Sequence, residues 1–183
     1  RVISGFLKGK KILQPVDKNT RPLKDITKES IFNALAHSNL LDFNIKHSLV
    51  LDVFSGTGSF GIECLSRGAK KVFFVENYEP ALVILRKNIE RFNLKSSCEI
   101  MNNYTFLERL NIKNFDLVFF DPPFKNENCN EILDLFKKKN IINTETLIIL
   151  HRHKKSNDKI SNFYKIFDVR QYGISKIIYL KLS

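Results

Sequence analysis

The chain has no apolar run long enough to cross a bilayer, which excludes a helical membrane span. Its start has no apolar centre and no small-residue cleavage site: Arg1 to Gln14 alternates and is basic, so it does not read as a secretory signal. The expected compartment is the cytoplasm, as the cysteines indicate, or an organelle if a leader was removed, which a first residue of Arg1 and not methionine leaves open. Cysteine is scarce. Cys64, Cys98 and Cys129 are odd in number, scattered and without C-x-x-C spacing, so they read as reduced packing residues. No Pro/Gly/Ser-rich linker and no internal repeat divides the sequence, and 183 residues with 43% apolar content suit one domain over 1–183 with one sizeable core.

Acidic residues are also in deficit, 19 against 30 lysines and arginines, giving a net charge of +11 and a pI near 9.6. Such a balance serves general solubility or, more specifically, a polyanionic partner bound in a salt-sensitive way. The distribution favours the partner. Arg1, Lys8, Lys10, Lys11, Lys18, Arg21, Lys24 and Lys28 crowd the start, Lys137 to Lys139 form a second group, and Arg152, Lys154 and Lys155 a third. His37, His47, His151 and His153 offer no metal site. His151 and His153 would share one face of a strand, but within the basic string HRHKK an RNA-facing or solvated role is favoured over a ligand pair.

Two motifs carry chemistry. In LDVFSGTGSFG, Gly56, Gly58 and Gly61 form G-x-G-x-x-G between an apolar run and a helix-like segment. Glycines there permit a tight turn and a close approach of backbone to a ligand, but the pattern alone serves many nucleotide binders. Twenty positions beyond Gly56 the next apolar run ends in Glu76, whose carboxylate can accept both ribose hydroxyls of an adenosine. The alternative is a solvated acid capping the helix that follows at Pro80.

The second motif is Asp121-Pro122-Pro123-Phe124, directly after FDLVFF. Each proline removes a backbone donor and fixes φ, and Pro123 pushes Pro122 towards an extended conformation, so the turn is stiff and rich in acceptors. An exocyclic base NH2 could give one hydrogen to Asp121 and the other to the Pro122 carbonyl. That draws the nitrogen lone pair out of conjugation and aims it at an electrophile. Phe124 would stack on the base, a contact worth roughly 1–3 kcal/mol in single-strand recognition. The plainer alternative is a strand ending in a rigid turn with Phe124 in the core.

Residues 1–14 read as two short strands joined at Lys8-Gly9-Lys10, a basic β-hairpin. Pro22 precedes a helix from about Asp25 to His37. Then come strand 49–54, helix 60–67, strand 71–76, helix 80–92, strand 98–101, helix 104–110, strand 115–120, helix 127–138 and strand 145–150, which predict a parallel sheet covered by helices. FYKIFDVRQ and SKIIYLKL, joined near Gly173, predict a closing antiparallel hairpin. A dinucleotide dehydrogenase would continue with a second parallel half. A hairpin finish, with the Asp-Pro-Pro-Phe motif after the fourth strand, instead resembles the Rossmann-like class I S-adenosylmethionine-dependent methyltransferases. The expected fold is thus α/β, a mostly parallel seven-stranded sheet with a C-terminal antiparallel hairpin and an N-terminal basic β-hairpin.

The stretches RVISGFLKGKKI, RPLKDITKESIFNAL, LDVFSGTGSFGIECLSRGA, FVEN, FFDPPF and QYG resemble the RsmD family of bacterial 16S rRNA guanine-N2 methyltransferases, from Arg1 to about Leu182. The glycine loop and DPPF mark the wider amino-methyltransferase class; the opening segment and the R-P…E-S-I-F-N helix mark the family. The resemblance implies transfer of a methyl group from S-adenosyl-L-methionine to N2 of one guanine in small-subunit rRNA, on assembled or assembling subunits, by a monomer with no metal. It places the cofactor's methionine end near Asp52, Ser55, Gly56 and Gly58, the ribose at Glu76 and the adenine at Asn77 and Asn103. Arg21 and Pro22 would belong to a pocket-covering segment that runs into the helix of 22–38, and Asp121, Pro122, Pro123 and Phe124 would hold the guanine. Arg1, Lys8, Lys10 and Lys11 would contact phosphates.

Five positions depart from the family pattern: Leu23 for Thr, Ile26 and Lys28 for Arg, Tyr104 for a small residue, and His151 where an acid is expected. Two other readings stand beside this one. DPPF recognises an amine and not a base, so adenine or cytosine in DNA or another RNA would serve, although DNA enzymes of this type usually carry a separate recognition domain. A basic ribosome-assembly factor with a vestigial cofactor site is the reading from another class.

Overall fold

The structure is a computed structural model that describes residues 1–16, 22–39, 41–102, 114–123 and 129–183. Its strands are β1 (Leu49–Val53), β2 (Lys71–Val75), β3 (Cys98–Met101), β4 (Leu117–Phe120), β5 (Leu147–His153), β6 (Tyr164–Tyr172) and β7 (Ser175–Leu182). They form one sheet in the order β3-β2-β1-β4-β5-β7-β6. β1 to β5 are parallel, and β7 runs antiparallel to both β5 and β6. The predicted parallel sheet and closing hairpin are therefore present. The strand order reverses between β1 and β4, and in open α/β sheets ligands bind at the carboxyl ends of the strands beside such a reversal.

Side chains alternate across each strand and divide the core in two. On one face Val50, Val72, Phe74, Leu117, Phe119 and Ile149 pack with Phe32 of α1 (Asp25–His37), Ile62 of α2 (Ser59–Ser66) and Leu85 of α3 (Glu79–Arg91). On the other, Leu51, Val53, Phe73, Phe120 and Leu150 pack with Leu133 and Phe136 of α4 (Cys129–Lys138). Helix α1 begins two residues after Leu23 and closes where the Ser38 amide bonds the Ala34 carbonyl, within a residue of the prediction. Helix α3 starts at Glu79-Pro80, where proline's missing donor costs nothing. Phe60 of α2 stacks on Phe119 of β4 at 3.9 Å and on Phe32 of α1 at 5.1 Å, which fixes α2 between the sheet and α1.

Three expectations need correction. Residues 1–14 contain no strand. The segment is closed by two hydrogen bonds, Val2 N–H to Lys10 C=O and Gly9 N–H to Val2 C=O. Four further donors go to α2: the Ile3 and Ser4 amides to the Glu63 carboxylate at 2.7 and 2.9 Å, Phe6 N–H to the Ser66 carbonyl, and Leu7 N–H to Ser66 Oγ. With the donors so used, no second strand can build a ladder. Lys28 is fully buried, not part of a basic surface: Nζ donates to the Arg1 carbonyl at 2.6 Å and Ser59 Oγ at 3.1 Å and lies 3.6 Å from Glu63. Arg152 is also buried, bonded to both oxygens of Asp158. Helix 104–110, Lys18 and Tyr104 lie outside the described residues.

Candidate active site

The carboxyl ends of β1 and β4 carry the two motifs side by side. Beyond β1, the Ser55 amide bonds the Val75 carbonyl, and beyond β4 the Asp121 amide bonds the Val53 carbonyl at 3.2 Å, so ladder bonds extend into both loops. Phe54, between them, adopts φ 60°, a left-handed conformation that strains a bulky residue by roughly 1–3 kcal/mol. Gly56 and Gly58 also have positive φ, and Gly58 N–H closes the turn on the Ser55 carbonyl. A Cβ at Gly61 would lie 2.3 Å from the Phe74 ring, so this third glycine serves close helix-to-sheet packing.

A small pocket is lined by Pro22, Leu23, Asp52, Phe54, Ser55, Gly56, Thr57, Ser59, Phe60, Phe119 and Asp121. The glycine loop and the acidic residue of Asp-Pro-Pro thus share one site, under the segment that leads into α1. Pro122 is buried and Pro123 exposed. Arg21, Asn103 and Phe124 lie outside the described residues, and Asn77 is exposed beside Glu76. Among the departures from the family pattern, Leu23 lines the pocket, Ile26 is exposed and Lys28 is buried.

Three carboxylates meet here. Asp52, on the α2 face of β1, is buried; Oδ2 accepts the Gly61 amide at 3.0 Å, one of the unpaired donors of the α2 N-terminus. Burial pushes its pKa up to about 8, the Gly61 bond opposes this, and the charges of Asp121 and Glu76 add to it. Glu76 is buried and not a solvated acid: Oε2 accepts the Gly56 amide at 2.7 Å, and Oε1 the Asn77 and Tyr78 amides at 2.9 and 2.8 Å. It therefore ties the glycine loop to the start of α3. Three of about four acceptor positions on this carboxylate are in use, so a bidentate grip on ribose requires it to share one.

Asp52 Oδ1 and Ser55 Oγ are buried without a hydrogen-bond partner. Buried polar atoms are nearly always bonded, so these two are open to donors that a ligand brings. A cationic ligand with amine and hydroxyl donors fits this acceptor-rich, acidic pocket. No group of His, Cys, Asp and Glu suited to a metal occurs among the described residues, and no helix there is long and apolar enough to cross a membrane.

Sequence reasoning missed what stands behind Asp121. His151 of β5 is buried, its Nδ1 2.9 Å from Asp121 Oδ1 and its Nε2 2.9 Å from Ser175 Oγ. Next to it, Arg152 Nη1 donates to the Pro123 carbonyl at 3.1 Å. The available signal was the departure at His151, which spacing alone could not pair with Ser175.

A reversed parallel sheet with a closing hairpin, a glycine loop after β1 and Asp-Pro-Pro after β4 define a class I S-adenosylmethionine-dependent methyltransferase. Residues 1–181 match the model of a family described as "Conserved hypothetical protein 95". The chain belongs to that family. It is 34% identical over 158 residues to the ribosomal RNA small subunit methyltransferase D of Haemophilus influenzae, covering 84% of this chain and 79% of that one. The solved yhhF protein of Escherichia coli superposes with a TM-score of 0.82 at 24% identity, over 100% of this chain and 97% of that chain. A protein solved in complex with SAH shares the fold at a TM-score of 0.63 and 15% identity, over 85% of this chain and 49% of that chain.

Proposed function

We propose that the protein methylates an exocyclic base amine of RNA, and that the acceptor is N2 of one guanine in small-subunit rRNA, on assembled or assembling subunits. The observation that carries this reading is the position of Asp121, whose side chain is 14% exposed and lines the same pocket as the glycine loop. S-adenosylmethionine, when bound, supplies a methyl group activated by a positively charged sulfur. Asp52 and Ser55 meet its methionine end, Glu76 its ribose and Asn77 its adenine. Asp121 and the Pro122 carbonyl accept the two amine hydrogens and so orient the nitrogen lone pair.

The relative named for small-subunit rRNA supports the choice of substrate, as does the charge. Arg1, Lys8, Lys10 and Lys11 are all exposed on the N-terminal segment. Phosphate contacts there offset the few kcal/mol needed to turn a base out of its stack.

Incubation with labelled cofactor and small-subunit rRNA, free and assembled, followed by mass-mapping of nucleosides, tests the reading. One N2-methylguanosine is expected. Label on an adenine or cytosine amine, or none, overturns it. Asp121→Ala is expected to lower turnover at least about 100-fold, as for loss of a main transition-state contact, while calorimetry finds cofactor affinity little changed.

A further inference from the structure

Three side chains form a line behind the acceptor site. Asp121 lies at its pocket end, His151 in the middle and Ser175 at its far end, with 2.9 Å at each step. His151 is 2% exposed and Ser175 5% exposed, so the line runs inward from the pocket. The register explains the arrangement. β4 and β5 are parallel with Phe120 beside Leu150, which brings the next residues, Asp121 and His151, together. β5 and β7 are antiparallel with His151 beside Ile177, which puts Ser175 diagonally across.

The residue types are those of a hydrolytic triad, and so is the connectivity, with carboxylate on Nδ1 and hydroxyl on Nε2. The orientation is reversed. In a hydrolase the hydroxyl faces the substrate; here the hydroxyl is buried and the carboxylate lines the pocket. Ser175 is thus not placed as a nucleophile, and the end that can meet a substrate is the acid.

We propose that His151 is a positioning residue for methyl transfer: held by Ser175 through Nε2, it presents Nδ1–H to Asp121 Oδ1 and so fixes the carboxylate plane against the incoming amine. This deepens the amine-binding reading of Asp121 and rests on it. With the proton on Nδ1, Nε2 is the acceptor for the Ser175 O–H. The Nδ1 contact has the distance of a hydrogen bond but lies off the N–H axis. Catalytic hydrogen bonds are often poorly aligned before substrate binds and tighten afterwards. Arg152 braces the same turn from the next position by bonding the Pro123 carbonyl, so consecutive residues of β5 hold Asp121 and Pro123. A carboxylate that binds an amine through hydrogen bonds acts only in the right orientation, and a misplacement of about 1 Å can cost 100-fold in rate.

The test compares His151→Asn with His151→Gln, both read as kcat and KM for RNA and cofactor, with thermal melting as a check on folding. Asn places its amide N–H near the position of Nδ1, whereas Gln places it near Nε2. The expected result is an Asn variant within a few-fold of wild-type kcat and a Gln variant lower by about 10- to 100-fold, with KM values little changed in both. Equal kcat in the two variants, high or low, overturns the proposal, as does a change confined to KM. Asp121→Ala, run in parallel, separates the levels. If it keeps full turnover, the amine-binding reading itself fails; if it is inactive while Asn and Gln match, only the role of His151 fails.

Discussion

Two buried carboxylates, Glu63 of α2 and Asp52 of β1 at the start of that helix, live in opposite surroundings. Glu63 has opposite charges and donors all round it: the Ile3 and Ser4 amides, Arg67 Nε at 2.8 Å, and Lys28 at 3.6 Å with both side chains fully buried. Asp52 has one amide, an oxygen with no partner, and two further acids close enough to raise its pKa. The first cluster is complete and ties the N-terminal segment and α1 to α2. The second is incomplete, and among the described residues lining the pocket there is no lysine or arginine. A buried acid whose partners lie within the chain is complete and costly to break, whereas one without them is open to a positively charged ligand.

The largest effect expected from breaking this contrast is at Glu63. Glu63→Ala strands Lys28, whose pKa burial already lowers against the opposing pull of Glu63, and leaves two amides unpaired. Removing one partner of a buried pair typically costs about 3–5 kcal/mol, to be read from urea unfolding. Asp52→Asn is the counterpart. It leaves no cation unpaired, so unfolding at neutral pH is expected to be no easier than for the wild type, while cofactor affinity in calorimetry falls roughly 10- to 100-fold, the worth of a charged hydrogen bond. A large stability loss in Asp52→Asn would erase the distinction between the two sites.

The pH dependence sharpens it further. Asp52 titrates near 8 when folded and near 3.8 in its ordinary state, so between these values the folded chain holds the extra proton. Its contribution to stability falls as pH rises through that window and levels off above about 8. The difference in unfolding midpoint between wild type and Asp52→Asn should therefore shift in favour of the variant from pH 5 to pH 8. Cofactor binding should also release a proton at neutral pH, because a cation favours the ionised carboxylate; calorimetry in buffers of different ionisation heat measures it. A midpoint difference that does not move with pH would mean that Asp52 is already charged in the free protein.

These contrasts also show what the sequence could reveal. The strand and helix order was legible because short apolar runs alternate with helical patterns, and α1 was placed to within a residue by Pro22 and its apolar spacing. The glycine loop and Asp121, singled out because their chemistry needs particular residue types in sequence, do line one pocket. What could not be read depends on partners far along the chain. The alternation of residues 1–14 suggested strands, yet their amides are claimed by Glu63 and Ser66, 59 or 60 residues away. Lys28 and Arg152 counted as surface charge until Glu63 and Asp158 were seen beside them. His151 looked anomalous because its reason, Ser175, lies 24 residues on and across a strand.

The smallest effect concerns charges that neither site buries. Glu63 holds the segment carrying Lys8, Lys10 and Lys11, and these three are exposed. Replacing all three by Ala should leave stability and cofactor affinity unchanged, because no described partner loses a bond on which the fold rests. RNA binding should weaken and its salt dependence flatten, by roughly 0.7–0.9 in log–log slope for each phosphate that the protein no longer neutralises. The same slope in Glu63→Ala protein that is still folded would show whether the buried acid also sets where those lysines stand. A slope that stays at the wild-type value in the triple variant would place the RNA on another face and leave Glu63 a purely structural anchor.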